Sequence, residues 1–155
     1  MTRKFLFRTV QTGVILASIQ FSLSMMAQTA APNTACSNAT LQGTYTFVQQ
    51  GSIVGAHGVL TPLAVTGVEV FDGNGHSHGF LTTVTVVNGQ TTVSSDVPFT
   101  GAYTVNANCT AKETVTDANN NVAHFDEFVG PNGNQLIFNE TDPGVVGAGT
   151  ETRGQ

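Results

Sequence analysis

From Leu41 to the C-terminus, apolar and polar residues alternate in steps of two, and no window repeats its apolar residues at three and four. Gly, Asn and Thr interrupt every stretch that would otherwise read as a helix. The pattern predicts strands over Leu41–Gln49, Val59–Phe71, His76–Val87, Gln90–Ser94, Val97–Asn106, Cys109–Asp117, Asn121–Val129, Gln135–Thr141 and Val146–Arg153. The breaks carry turn residues: Asp72-Gly73-Asn74-Gly75, Asn88-Gly89, Asn106-Ala107-Asn108, Ala118-Asn119-Asn120, Pro131-Asn132-Gly133-Asn134 and Asp142-Pro143-Gly144. About eight strands on short turns imply an antiparallel meander. In so short a chain, closure into an up-and-down barrel buries one face and removes both edges; a β-sandwich is the alternative.

Alternation also assigns faces. Leu41, Gly43, Tyr45 and Phe47 share one face, as do Phe99, Gly101, Tyr103 and Val105. The two runs resemble each other because a glycine eases a bend and a tyrosine fills the space beside it. Val65, Gly67, Glu69 and Phe71 fall in phase, as do Ala123, Phe125, Glu127 and Val129, and Leu136, Phe138 and Glu140. Three carboxylates therefore share a face with aromatic side chains.

Ahead of the strands, Arg3, Lys4 and Arg8 precede an apolar run from Val14 to Met26 and small residues at Ala27, Ala30 and Ala31. This is the layout of a cleaved signal peptide over 1–30, followed by a lead-in over 31–40 and a single barrel domain over 41–155. The expected location is secreted or periplasmic, with no membrane insertion of the mature chain. Beyond the signal only Lys112 and Arg153 carry fixed positive charge, against ten acidic residues. So acidic a balance argues against nucleic acid or an anionic membrane as partner. Cys36 and Cys109 both lie in the exported part, where one disulfide is expected.

Chemistry-bearing groups are few. If Phe71 pairs with His76, Glu69 faces His78 across the hairpin at about 5 Å and the two form a candidate acid–base pair. A bulge at Gly75 would slip the register by one and move both histidines to the other face; the sequence leaves both registers open. His76 and His78 are weak candidates for a metal, with Glu69 or His124 as third ligand. Oxygen-rich loops at Asp72 and Asp117 lack the spacing of a calcium loop and read as turns. The candidate ligand-binding set is Tyr45, Phe47, Glu69, Tyr103, Glu127 and Glu140. No cofactor is implied, and the sequence is silent on oligomeric state.

The combination Leu41-Gln42-Gly43-Thr44-Tyr45, Phe71-Asp72-Gly73-Asn74-Gly75, Gly101-Ala102-Tyr103-Thr104-Val105 with Cys109-Thr110, and Glu140-Thr141-Asp142-Pro143-Gly144 resembles a group of small exported bacterial proteins of uncharacterised function. In outline the strand pattern is similar to lipocalin-like barrels and to the allene oxide cyclase and dirigent barrels. The chain has no Trp and so lacks the lipocalin Gly-x-Trp start. The resemblance implies a barrel, and three functions compete for it. One is a binding module for a small apolar or amphipathic ligand; another is a cofactor-free cyclase or isomerase using Glu69 and His78; the third is a solid structural or surface-interaction protein.

Overall fold

The structure, a computed structural model, describes residues 35–155; the signal segment and the start of the lead-in lie outside the described residues. Eight antiparallel strands follow one another around a closed barrel: β1 Gln42–Val54, β2 Leu60–Asp72, β3 His76–Val87, β4 Gln90–Val105, β5 Thr110–Asp117, β6 Val122–Val129, β7 Gln135–Glu140 and β8 Val145–Arg153. β8 pairs back onto β1, from Tyr45 opposite Arg153 to Ile53 opposite Val145, so no strand is left at an edge. The barrel, rather than the sandwich, is the architecture.

Two strands differ from their expected extents. β1 continues past Gln49 to Val54 through Gly51, where a Cβ would lie 2.7 Å from the Cα of Gly147 on β8; only glycine lets the two backbones approach there. The two stretches Gln90–Ser94 and Val97–Asn106 are one strand, β4. The break between them is a bulge: Leu81 pairs with Val97 but Thr83 pairs with Ser94, and Asp96 in the extra loop takes φ 54°.

The interior is stratified along the barrel axis, as alternation requires when each strand turns every second residue inward. At one end Leu41, Phe71, Val105, Ala111, Val129 and Leu136 form a buried apolar plug with Tyr45 and Tyr103. The ring of Phe71 is held edge-on between the two tyrosines, with centroids 5.1 Å from each. The lead-in crosses this end. The Tyr103 hydroxyl donates to the Leu41 carbonyl at 3.0 Å, and the Val105 amide donates to Asn38 Oδ1 at 2.8 Å. Arg153 donates to the Tyr45 hydroxyl at 2.7 Å and to the Thr40 carbonyl at 2.9 Å, while the Tyr45 hydroxyl donates to the Gly133 carbonyl.

The expected disulfide fastens the same end. Cys36 and Cys109 are bonded, with Cα atoms 5.0 Å apart and a sequence separation of 73. Closing so long a loop is worth roughly 4 kcal/mol in the chain-entropy account. Replacing both cysteines with serine is therefore expected to lower Tm by about 10–20 °C in a thermal melt of the oxidised protein. A change under about 3 °C would show that the hydrogen bonds of Tyr45, Tyr103 and Arg153 hold the base unaided.

Candidate interior site

Above the plug the barrel carries a layer of carboxyls. Glu69 on β2, Glu113 on β5, Glu127 on β6 and Glu151 on β8 all point inward and are between 2% and 4% exposed. The register explains how they come to be dry. Glu113 pairs with Phe125, Glu127 with Phe138, Glu151 with Phe47 and Glu69 with Tyr45, so each carboxyl leaves the backbone opposite an aromatic ring. Phe47, Phe99, Phe125 and Phe138 then form a third layer over the carboxyls. Within it Phe47 meets Phe99 edge-on at 6.1 Å and Phe125 meets Phe138 at 5.4 Å. Gln49 and Glu140 sit further out, joined by a 2.6 Å hydrogen bond from the Gln49 amide.

Glycine makes room for the rings. A Cβ on Gly67 would fall 2.5 Å from Cζ of Phe47 across the pair, and one on Gly79 would fall 2.7 Å from Cζ of Phe99. Each ring occupies the volume that a neighbouring side chain would have taken.

A cavity of about 50 Å³ is lined by the four phenyl rings and the four glutamates, together with Gln49, Val65, Leu81 and Val115. It is larger than the roughly 15 Å³ that admits one water and far below the several hundred Å³ of a drug-sized pocket. Ser77 on β3 donates to Glu113 Oε1 at 2.6 Å. Three other carboxyl oxygens, Glu69 Oε1, Glu127 Oε2 and Glu151 Oε2, are buried with no hydrogen-bond partner. Since buried polar atoms are almost always satisfied, three orphans around one cavity set this layer apart from the rest of the fold.

The electrostatics follow from burial. Desolvation raises Glu69 and Glu127 well above the usual carboxylate range, and the charges of Glu113 and Glu151 raise them further. Glu151 is pushed up to about 8, by burial first and by Glu113 second. Burial raises Glu113 as well, but Ser77, Glu69 and Glu127 all pull it back. Glu113 is thus the member whose charge the layer favours, and its charge keeps protons on the other three. At the outer rim burial raises Glu140, against the hydrogen bond from Gln49.

The six candidate ligand-binding residues fall at three levels. Tyr45 and Tyr103 belong to the plug; Glu69 and Glu127 belong to the carboxyl layer and Phe47 to the phenyl layer; Glu140 stands at the rim. The hairpin takes the bulged register, with Phe71 opposite Ser77 and Val70 opposite His78. Glu69 faces Gly79, and His76 and His78 are exposed on the outer face, so the Glu69–His78 pair is not formed. The cause is Asp72, whose Oδ1 accepts from the amides of Asn74 at 2.7 Å and His76 at 3.0 Å and so winds an extra residue into the turn. Asp117 caps its turn likewise, through the amides of Asn119 and Asn121. His124 is held by Asp142, its Nδ1 2.8 Å from Oδ1. Among the described residues no group of three His, Cys, Asp or Glu is placed to hold a metal ion.

Sequence reasoning overlooked Glu113, Glu151 and Ser77. Glu113 and Glu151 have no aromatic residue in phase on their own strands; only the register sets Phe125 and Phe47 opposite them. Comparison with protein families, curated proteins and solved structures finds no match to this chain. What the structure does show is the closed eight-stranded meander expected from the strand pattern.

Carboxyls raised by folding make stability fall as pH rises. Between the unfolded value near 4.5 and the folded values, the native state binds more protons than the unfolded chain, so each pH unit removes stability. Tm is therefore expected to fall by at least about 10 °C between pH 5 and pH 9. Glu127→Gln should flatten the slope and raise Tm at the alkaline end. A Tm that is flat or rising over this range would contradict a buried, proton-bearing layer.

Proposed function

We propose that this barrel is an exported binding module that takes a small amphipathic molecule into its interior. The single observation that carries the reading is a cavity lined both by phenyl rings and by glutamates of which three keep a buried, unpartnered carboxyl oxygen. A ligand with an apolar end and a hydrogen-bonding end matches both walls at once. A barrel built only as a solid structural element has no use for this arrangement, because glutamine or a packed apolar residue would fill the layer at lower cost. An oxidised Cys36–Cys109 pair and the basic, then apolar, N-terminal sequence support export to a secreted or periplasmic location. Among the described residues no helix is long and apolar enough to cross a membrane.

Native mass spectrometry of the protein recovered from its exported form, run beside the same sample denatured, tests the reading. The expected result is a mass excess that is lost on denaturation and lost in Glu127→Gln. If native and denatured masses agree and no small amphipathic molecule gives saturable binding in solution, the solid structural reading replaces this one.

A further inference from the structure

We infer that the interior site recognises a small primary ammonium ion, which donates its three N–H bonds to Glu69, Glu127 and Glu151 while its alkyl end lies among the four phenyl rings. The inference rests on the binding reading above and specifies its ligand class.

Donor and acceptor counts carry it first. A primary ammonium has three donors and no acceptor, and once the acid protons leave, the cavity offers three buried oxygens with no hydrogen-bond partner outside the carboxyl layer. A neutral alcohol brings one donor, so it satisfies at most one of these oxygens and leaves the protons of the layer where they are.

Charge carries it next. The site is built from acids alone. Arg153 is spent at the base on Tyr45 and Thr40, and Lys112 is outside, paired with Asp126 at 2.5 Å. An entering cation faces no competing side-chain cation in the cavity lining, and its charge is met by the carboxylates.

Size decides between cations. Among the described residues no three His, Cys, Asp or Glu are placed to hold a metal ion, and about 50 Å³ fits a group of a few heavy atoms.

Binding exchanges one cation for another. The ammonium replaces acid protons on the carboxyls, and each proton displaced passes to solvent, so no other reactant is required. The titratable and charged groups facing the layer are Tyr45 from β1, Tyr103 from β4, Glu113 from β5, Glu140 from β7 and Arg153 from β8. Burial pushes both tyrosines upward, so neither adds negative charge below alkaline pH. Protons and ammonium compete for the same oxygens, so affinity rises with pH until the amine itself deprotonates near about 10.

The test is an NMR titration of the full mature protein with ethylammonium chloride, beside ethanol as the neutral analogue of equal size and sodium chloride as the ionic-strength control. Three heavy atoms limit Kd to about 1 mM or weaker. The expected result is saturable shifts at Phe47, Phe125 and Phe138 with ethylammonium and none with ethanol. Affinity should tighten about tenfold per pH unit between pH 5 and 7 for each proton displaced. Glu127→Gln should weaken binding at least about tenfold, and Asp126→Asn, on the outer face, should leave it unchanged. Saturable binding of ethanol as tight as ethylammonium overturns the ammonium assignment and leaves an interior binding site. The assignment is likewise overturned if ethylammonium fails to bind while the native mass retains some other compound. If ethylammonium fails and the native mass is bare, both the class and the binding reading fall. Should Glu127→Gln not fold, the contrast between ethylammonium and ethanol and its pH slope decide the matter on the wild-type protein.

Discussion

A carboxylate moved from water into a protein interior loses several kcal/mol of hydration unless something replaces it, and this barrel places four carboxyls in a single dry layer. Nearly every other interior feature can be read as a response to that layer. Ionising all four would set like charges against one another, with no lysine or arginine among the described residues placed to offset them. The layer therefore holds its protons, and the Ser77 hydroxyl, which donates to Glu113, favours charge there. The plug below and the phenyl rings above supply the desolvation that keeps the other three acids neutral. Arg153 would be the natural counterion, but Tyr45 and Thr40 hold it one level down, where it ties the lead-in to the barrel wall.

The barrel itself was legible because its signal is redundant. Strict alternation, turn residues at every break and the absence of helical spacing all point one way, and each strand repeats the message. Glu69 and Glu127 were legible for a related reason: Phe71 and Phe125 share their phase, so a core-facing aromatic carries the acid inward with it. Glu113 lies between Ala111 and Val115, and Glu151 follows Gly147 and Gly149. On their own strands they look like ordinary solvent-facing acids, and their burial is a property of their partners across the sheet. The hairpin register was illegible for another reason. It depends on whether Asp72 folds back to accept the Asn74 and His76 amides, a choice of one side-chain rotamer that moves every following residue to the opposite face.

Two hydrogen bonds inside the barrel run across a glycine on the intervening strand. The Ser77–Glu113 bond passes over Gly101 of β4, where a Cβ would meet the Ser77 hydroxyl and the Glu113 carboxyl; the Gln49–Glu140 bond passes over Gly147 of β8, where a Cβ would lie 2.6 Å from the Gln49 amide nitrogen. A strand that withdraws its side chain lets its two neighbours touch directly, which fixes the polar groups from both sides. Glu113 is positioned by this device. Glu69, Glu127 and Glu151 each keep one oxygen outside any such constraint.

This contrast separates architecture from readiness to bind. If burying acids were merely a tolerated accident of strand alternation, the same compensation would be expected throughout, because a serine or glutamine opposite each acid and a glycine between them is a solution the fold already uses twice. Instead, the compensated acids are Glu113 and Glu140, one anchoring the layer and one at the rim, and the three uncompensated oxygens surround the space beneath the phenyl rings. Unsatisfied polarity concentrated at one cavity, in a chain that satisfies its neighbours by a repeated device, is what a site looks like when its missing partner is a ligand.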